Sequence, residues 1–155
     1  MRLPFEVFVF VRRGEEYLVL RRSEKQGGYW HSVAGALEPG ETYGEAAARE
    51  LLEETGLAAS PRDLGRSFDY DIEGWESHYV PGAERVHVES FVVEAPDGWE
   101  PTLDWEHDAY RWCLRGEAAD LFYWPEPREV PSLPPNQDEA DFLSQWQEAF
   151  HADPD

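Results

Sequence analysis

One stretch of 23 residues limits what this chain can fold into more than any other: GALEPGETYGEAAARELLEETGL, from Gly35 to Leu57. Most of it predicts a helix over residues 42–55. Thr42 is a candidate N-cap, Glu45 completes a Thr-x-x-Glu capping box with it, and Gly56 is a candidate C-terminal stop. The residues before Thr42 are too rich in glycine and proline to extend the helix. The sequence therefore predicts a loop followed by a helix.

Three of the six glutamates in this stretch share one face of the predicted helix. At about 100° per residue, Glu50, Glu53 and Glu54 lie at positions i, i+3 and i+4. Like charges at this spacing destabilise an isolated helix by about 0.2–0.5 kcal/mol per pair. A divalent cation is one reason to keep them, because Mg²⁺ and Mn²⁺ prefer oxygen ligands. On these residues alone, a solvated face in an acidic chain remains the alternative.

The side of the helix opposite these carboxylates is predicted to pack against the rest of the protein. On the helical wheel it collects small and apolar residues: Gly44, Ala48, Leu51, Leu52 and Thr55.

The spacing of the fixed residues is more specific than the cluster of glutamates. The stretch fits G-x5-E-x7-R-E-U-x-E-E-x-G-U at every fixed position, where U is an apolar residue. On this pattern the chain resembles the Nudix family, which hydrolyses nucleoside diphosphates linked to another moiety. The resemblance implies an α/β fold: an α/β/α sandwich with a central mixed β-sheet, a loop-helix Nudix box and a C-terminal helix.

The resemblance also implies roles for residues in and beside the box. Glu50, Glu53 and Glu54 would hold one or more Mg²⁺ (or Mn²⁺) ions, with help from backbone carbonyls near Ala34 and Gly35. Glu50 and Glu54 are implied as direct ligands. Glu53 is a further ligand or the base that activates water, and the choice between Glu53 and Glu50 as that base stays open.

The loop and the helix of the box are expected to be tied together by an ion pair. Glu41 lies in the loop and Arg49 on the helix, and in the family this pair supports the catalytic site. The alternative for Arg49 is a weak surface pair with Glu45, four residues away. Gly35 and Gly40 permit a tight loop, in which side chains would obstruct a close approach of the backbone to metal or phosphate.

Apolar and alternating runs on both sides of the box predict the strands of a mixed sheet. PFEVFVFVRR and EYLVLRRS predict a hairpin around Gly14, and YWHSVAGAL, LGRSFDYDI, ERVHVESFVVEA and AYRWCL predict further strands. GEAADLFYW predicts a short helix, and residues 137–150 predict a closing amphipathic one. With 155 residues, we expect a single domain over residues 1–155.

The amino-acid composition limits the kinds of molecule that this protein is expected to bind. A formal net charge of −20 argues against duplex nucleic acid or an anionic membrane, both of which need a cationic surface. Small anionic ligands remain possible, because bound metal ions invert the local field. The single cysteine, Cys113, cannot form an internal disulfide, so a reducing cytoplasm is expected. We expect a monomer or homodimer acting on a small phosphoanhydride.

Three further stretches resemble one branch of the family, the dihydroneopterin triphosphate pyrophosphatases. They are YWHSVAGALEPGET, HYVPGAERVHVESFVV and WEHDAYRWC. The resemblance implies cleavage of a nucleoside or pterin triphosphate, dihydroneopterin triphosphate or dNTP-like, to a monophosphate and pyrophosphate by attack of water on phosphorus.

Other substrates stay open at this point. Glu-His-x-Ala-Tyr-Arg-Trp also occurs in dinucleoside tetraphosphate hydrolases, although these usually carry Pro-Lys-Gly where this chain has Val-Ala-Gly at 33–35. A dinucleoside polyphosphate (diadenosine tetraphosphate-like) or nucleotide-sugar hydrolase is therefore the alternative. A non-catalytic nucleotide-binding module is the remote one, because the chain keeps every carboxylate of the box.

Residues outside the box are expected to complete the site. The branch resemblance implies Glu106 as a distant metal ligand, with Glu89 as the second candidate; for Glu106 the alternative is a simple loop acid. The predicted substrate contacts are of two kinds, arginines for phosphate and aromatic rings that stack on a planar base or pterin: Arg21, Arg22 and Arg85, and Tyr29, Trp30 and Trp105. The alternatives are surface arginines and core aromatics.

Overall fold

The computed structural model describes residues 1–121, and the structural statements that follow concern this part of the chain. The predicted helix at residues 137–150 lies outside the described residues. Within residues 1–121, no helix is both long and apolar enough to cross a lipid bilayer.

Along the described part of the chain, strands precede and follow one long helix. In chain order the elements are β1 (Phe5–Arg13), β2 (Glu16–Arg22), β3 (Trp30–His31), β4 (Val33–Ala36), α1 (Tyr43–Thr55), β5 (Arg62–Asp71), β6 (Arg85–Glu94), β7 (His107–Leu114) and α2 (Arg115–Leu121). The predicted hairpin around Gly14 is confirmed, because β1 and β2 pair antiparallel on either side of it. The predicted short helix is confirmed at α2.

The strands form one mixed sheet in the order β3-β2-β1-β6-β5, with β4 also pairing with β1 and β7 with β2. β1 and β6 are parallel, and the other pairs are antiparallel. β1 pairs with β2 only near their shared turn, and its earlier residues, Glu6 to Val9, pair instead with β4. This arrangement places Gly35 beside Val7 in the middle strand of the sheet.

Both faces of the sheet are covered. Alternate residues of β1 enter two different hydrophobic clusters, which explains the almost continuous apolar run of this strand. One cluster includes Val7 and Val9 and contains residues of α1, whereas the other includes Phe8 and Ala118 of α2. Helices on both faces of a mixed sheet are the α/β architecture predicted from the sequence.

Local signals set both ends of α1. Thr42 Oγ1 accepts a hydrogen bond from the Glu45 N–H at 3.1 Å, and the Thr42 N–H donates to Glu45 Oε1 at 2.9 Å. The predicted capping box is therefore present. At the other end Gly56 adopts φ 81°, in the left-handed region, and its N–H donates to the Leu52 carbonyl at 2.9 Å.

The predicted packing face of α1 is wrong in part. Leu52 is 51% exposed and Gly44 is also exposed. The buried residues are Ala46, Ala47, Leu51, Glu54 and Thr55. These positions form a stripe at helical spacing that includes one of the three clustered carboxylates. The side of α1 that packs on the sheet therefore includes Glu54, at the border of the acidic face.

Candidate functional site

The Glu50 carboxylate lies against the backbone at Gly35. A Cβ placed at Gly35 would be 2.0 Å from Glu50 Oε2 and 2.2 Å from its Cδ, both far inside contact distance. Gly35 belongs to β4, against which α1 packs. A side chain at Gly35 would therefore displace the Glu50 carboxylate from its observed position.

Glu50 and Glu54 lie one helical turn apart, and their carboxyl groups are close enough for Glu50 to affect the pKa of Glu54. The Glu54 side chain is only 5% exposed, and the backbone N–H of Ala34 donates to its Oε1 at 3.4 Å. Burial raises the pKa of Glu50, and burial together with contact with Glu50 raises the pKa of Glu54 well above its usual range. A cation bound between these two carboxyls would favour their ionised forms.

Arg49 ties the loop, the sheet and the helix together. Its Nε and Nη2 donate to the two oxygens of Glu41 at 2.7 and 2.8 Å, so the predicted pair is present and bidentate. Nη2 also donates to the Ala36 carbonyl at 3.0 Å, and Nη1 donates to Glu50 Oε1 at 2.6 Å. The alternative pair with Glu45 is not formed within the described structure, because the Glu45 carboxylate caps the helix.

Two of the predicted metal ligands stand apart from the Glu50–Glu54 pair. Glu53 is exposed and lies 3.4 Å from Arg49 Nη1. Glu106, just before β7, lies 4.0 Å from Arg22 Nη2. Among the described residues, no three His, Cys, Asp or Glu side chains are arranged around one point as a metal site would require. The structure thus brings together Glu50 and Glu54 of the predicted set.

A pair of buried histidines adjoins these carboxyls and was not identified from the sequence. His31 Nε2 and His107 Nε2 are 2.8 Å apart, and His107 Nδ1 bonds to Asp104 Oδ1 at 2.7 Å. His107 Nε2 lies 4.0 Å from Glu54 Oε1. Burial, followed by the neighbouring His107, lowers the pKa of His31 well below its usual value. No local signal marks His31, because its partner is 76 residues away.

Glu89 belongs to a second polar cluster on β5 and β6. Its carboxylate bonds to His87 Nε2, while His87 Nδ1 bonds to Asp69 Oδ1 at 2.7 Å. The ring of Tyr43, the first residue of α1, meets the His87 ring edge-on at a centroid distance of 5.9 Å. Glu89 is therefore held by His87 at the side of α1.

The two adjacent arginines of β2 both form hydrogen bonds to other residues of the chain. Arg21 Nη1 donates to both oxygens of Asp108, at 2.9 and 2.7 Å, and Nη2 bonds to Glu24. Arg22 donates to the backbone and side-chain oxygens of Gln26 at 3.1 and 3.0 Å. Arg85, by contrast, is an exposed residue at the start of β6.

The three predicted stacking rings differ in exposure. Trp105 is 77% exposed, while Trp30 packs partly against a hydrophobic cluster. Tyr29 lies under the Arg22 guanidinium at 5.6 Å and beside the His31 ring at 5.8 Å. Trp105 is therefore the ring most open to a ligand.

The chain is similar in sequence to several known proteins. Over 121 residues the chain is 31% identical to the dihydroneopterin triphosphate diphosphatase of Escherichia coli, covering 74% of this chain and 79% of that protein. Over 114 residues it is 35% identical to the asymmetrical bis(5'-nucleosyl)-tetraphosphatase of Mus musculus, covering 72% of each. A match of 39% over 102 residues to an octanoyltransferase of Myxococcus xanthus spans only 27% of that protein.

The fold of this chain is also similar to that of a solved structure. The solved structure of the E. coli dihydroneopterin triphosphate pyrophosphohydrolase superposes with a TM-score of 0.68 at 28% identity, covering 78% of this chain and 87% of that one. The NUDIX domain family model matches residues 2–133. That match includes the whole loop–helix unit with its Gly35–Glu50 contact, and the chain therefore belongs to the Nudix family of hydrolases.

Proposed function

We propose that this protein is a metal-dependent pyrophosphohydrolase that cleaves a nucleoside or pterin triphosphate to a monophosphate and pyrophosphate. The observation that carries the proposal is the buried Glu50–Glu54 pair, pressed against the bare backbone of Gly35. A related protein in E. coli is named a dihydroneopterin triphosphate diphosphatase, which supports this class of substrate.

The donor set fits a hard divalent ion such as Mg²⁺ or Mn²⁺. Glu50 and Glu54 offer oxygen ligands only, and a bound cation would favour the ionised forms of these carboxyls, whose pKa values are raised chiefly by burial. Backbone carbonyls at Ala34 and Gly35 are the further ligands expected from the sequence, with Glu106 as the distant carboxylate. When bound, the ion neutralises phosphate oxygens and lowers the pKa of water.

The remaining residues of the box would position the metal-binding carboxylates and activate the attacking water. Arg49 hydrogen-bonds to Glu50 and, through Glu41, to the loop of the box. It would therefore hold the Glu50 carboxylate in one orientation towards the metal and the substrate. Glu53 is exposed and near the site, which suits a base that takes a proton from water. Glu89 is held by His87 and is proposed here as a substrate-side residue.

A second candidate substrate is a dinucleoside polyphosphate. The mouse relative is named an asymmetrical bis(5'-nucleosyl)-tetraphosphatase, and its identity to this chain is close to that of the E. coli relative. The two reactions share the attack on phosphorus but differ in products. Release of inorganic pyrophosphate supports the triphosphate, whereas release of two nucleotides supports the dinucleoside polyphosphate.

The test is a turnover screen of dihydroneopterin triphosphate, the (d)NTPs, diadenosine polyphosphates and nucleotide sugars with Mg²⁺ and then Mn²⁺. It is run with the wild type, Glu54→Gln and the control Glu73→Gln, which changes an exposed loop glutamate. We expect Glu54→Gln to lower kcat by about 10²-fold or more, with the melting temperature retained. Near wild-type turnover in Glu54→Gln would overturn the proposal, as would metal-independent hydrolysis.

We also infer that the protein works in the cytoplasm as a monomer or homodimer. The free, buried Cys113 suits a reducing compartment. Size-exclusion chromatography with light scattering measures the oligomeric state directly.

A further inference from the structure

The segment that leads into β7 is tied by its backbone to α1 and to the end of β2. The Thr102 N–H donates to the carbonyl of Thr55, the last residue of α1, at 2.8 Å. The Ser23 N–H, just after β2, donates to the Glu106 carbonyl at 2.8 Å. The segment that carries Glu106, the carboxylate predicted from the sequence as a distant metal ligand, is therefore fixed against the end of the helix that carries Glu54.

Within this segment, Asp104 to His107 form a turn that is closed by two hydrogen bonds. The His107 N–H donates to the Asp104 carbonyl at 3.3 Å, and His107 Nδ1 bonds to Asp104 Oδ1 at 2.7 Å. Trp105 and Glu106 are the two central residues of the turn. The side-chain bond between Asp104 and His107 therefore helps to set the positions from which both central side chains extend.

His107 is the buried end of this turn and lies beside the acidic helix. Its side chain is 1% exposed, and its Nε2 lies 4.0 Å from Glu54 Oε1 of α1 and 2.8 Å from His31 Nε2 of β3. The rings of His31 and His107 are stacked, with their centroids 5.0 Å apart. Because His107 contacts the surroundings of Glu54 directly, the turn borders the proposed metal site.

The donors and acceptors of this network have one consistent assignment when Asp104 is ionised and both histidine rings are neutral. A carboxylate only accepts hydrogen bonds, so the proton of His107 lies on Nδ1. His107 Nε2 is then an acceptor, and His31 Nε2 donates to it. A neutral His31 agrees with its burial, which lowers its pKa. The one ring N–H of His107 is therefore used to close the turn.

The Glu106 carboxylate, by contrast, is only loosely held by its neighbour in the protein. Arg22 Nη2 lies 4.0 Å from it, at the limit of an ion pair, and the Glu106 side chain is 32% exposed. The Arg22 guanidinium donates its hydrogen bonds to the backbone and side-chain oxygens of Gln26 instead. The backbone of the turn, more than the contact with Arg22, therefore determines where this carboxylate can reach.

We propose that the hydrogen bond between Asp104 and His107 positions Glu106 as a ligand of the divalent cation bound by the buried carboxyl pair of α1. The inference rests on the proposed function for that cation. His107 does not touch the ion or the substrate in this scheme, and acts through the turn as a positioning residue. Hydrogen bonds that orient metal ligands commonly change metal affinity by about 10- to 100-fold.

The experiment measures the Kd of Mn²⁺ for the substrate-free protein by electron paramagnetic resonance, together with the rate of hydrolysis of any triphosphate. In His107→Asn the amide N–H replaces the Nδ1 donor, whereas in His107→Gln the amide lies nearer the position of Nε2. Neither variant changes the charge of a neutral histidine. We expect His107→Gln to weaken Mn²⁺ binding by about tenfold and His107→Asn to retain most of the affinity. The control His78→Gln, at an exposed loop histidine, should keep the wild-type Kd.

A second background tests whether His107 acts through Glu106. Glu106→Gln should itself weaken Mn²⁺ binding, and His107→Gln should add little in the Glu106→Gln protein, because both changes then affect the same ligand. An undiminished effect of His107→Gln in that background would overturn the proposal. Weaker Mn²⁺ binding in His107→Asn than in His107→Gln would overturn it too, because the contacts of Nε2 would then matter more than the closed turn.

Asp104 provides an independent pair of variants if melting temperatures show that a His107 variant does not fold. Asp104→Asn and Asp104→Ala lose the same charge, but the asparagine keeps an oxygen that can accept from Nδ1. Asp104→Ala should therefore weaken Mn²⁺ binding more than Asp104→Asn does. Equal Kd values in these two variants would contradict a role for the hydrogen bond.

This proposal and the proposed function fail separately. Equal Mn²⁺ binding in His107→Gln and wild type, or no Mn²⁺ binding in wild type, would overturn the role of the turn even where hydrolysis stands. If no phosphoanhydride is hydrolysed but the His107 variants differ in Mn²⁺ affinity as expected, the proposed function fails and the positioned cation site remains.

Discussion

The Glu50 carboxylate fills the space that a side chain at Gly35 would need, with Oε2 only 2.0 Å from the position of a Cβ. Gly35→Ala therefore forces Glu50 away from its contacts with Arg49 and Glu54. We expect kcat to fall by about 10²-fold, because small displacements of reacting groups cost this much. The measurement is kcat, with the Mg²⁺ concentration that gives half-maximal rate.

A matched glycine separates this effect from a general loss of stability. Gly44 is an exposed residue of α1, and a Cβ there would have no atom within 4 Å among the described residues. Gly44→Ala should keep the wild-type kcat and raise the melting temperature, since alanine is the better helix former. Equal kcat in Gly35→Ala and Gly44→Ala would show that Glu50 does not need its observed position.

The Glu41–Arg49 pair predicts a pH-dependent contribution to stability. The hydrogen bonds from Arg49 hold the pKa of Glu41 below its usual value. A carboxyl with a lowered folded pKa stabilises the fold above its unfolded pKa of about 4.3, and this contribution is lost as pH falls through the folded pKa. Glu41→Gln should thus cost about 1–3 kcal/mol at neutral pH, and less below about pH 4.

Urea unfolding of the wild type and Glu41→Gln at several pH values tests this prediction. Glu38→Gln is the control, because Glu38 is an exposed loop glutamate 3.8 Å from Arg49 and forms no hydrogen bond to it within residues 1–121. A difference between wild type and Glu41→Gln that does not shrink in acid would contradict an ionised, paired Glu41.

Features formed by residues close in sequence were the ones that could be predicted. The capping box spans Thr42 to Glu45, and the Glu41–Arg49 pair spans eight residues, so both follow from the local pattern. The packing face of α1 was partly wrong because a helical wheel does not show which side the sheet will cover. Leu52 is exposed, although it is the more apolar choice, and Glu54 is buried.

Contacts between distant residues could not be derived from one sequence. Arg21 looks like a free surface cation until Asp108, 87 residues away, is seen to hold it. His31 and His107 meet only because β3 and β7 both pair with β2. The orientation of Glu106 toward Arg22 depends on the same pairing, since Arg22 and His107 are partners across β2 and β7.

The buried His31 predicts that the protein loses stability in mild acid. Burial lowers its folded pKa, so the unfolded chain binds a proton below about pH 6.5 that the native state does not bind. The contribution of His31 to stability is therefore present above this pH and falls by about 1.4 kcal/mol per pH unit below it. His31→Gln should reduce this slope between pH 6.5 and 5.5, although its stability at neutral pH is lower.

The slope is measured by urea unfolding across that range, with His78→Gln as control. His78 is an exposed loop histidine, so its replacement should leave the slope close to that of the wild type. The same slope in His31→Gln and His78→Gln would mean that His31 accepts a proton in the folded protein.

Trp105 is the most exposed of the three rings predicted to stack on the planar part of a substrate. It is 77% exposed, while its neighbours Asp104 and Glu106 are held by His107 and Arg22. Base–aromatic stacking contributes about 1–3 kcal/mol on alanine substitution. Trp105→Ala should therefore raise KM by about 5- to 150-fold, and Trp105→Phe should raise it less.

Stacking also predicts where Trp105→Ala has no effect. Pyrophosphate carries no ring, so its Kd should be the same in Trp105→Ala and wild type. Trp75→Ala controls for loss of an exposed tryptophan, because Trp75 is 48% exposed and contacts His78 in a separate loop. Equal loss of pyrophosphate and substrate binding in Trp105→Ala would indicate that Trp105 supports the phosphate site, and stacking would be ruled out as its main role.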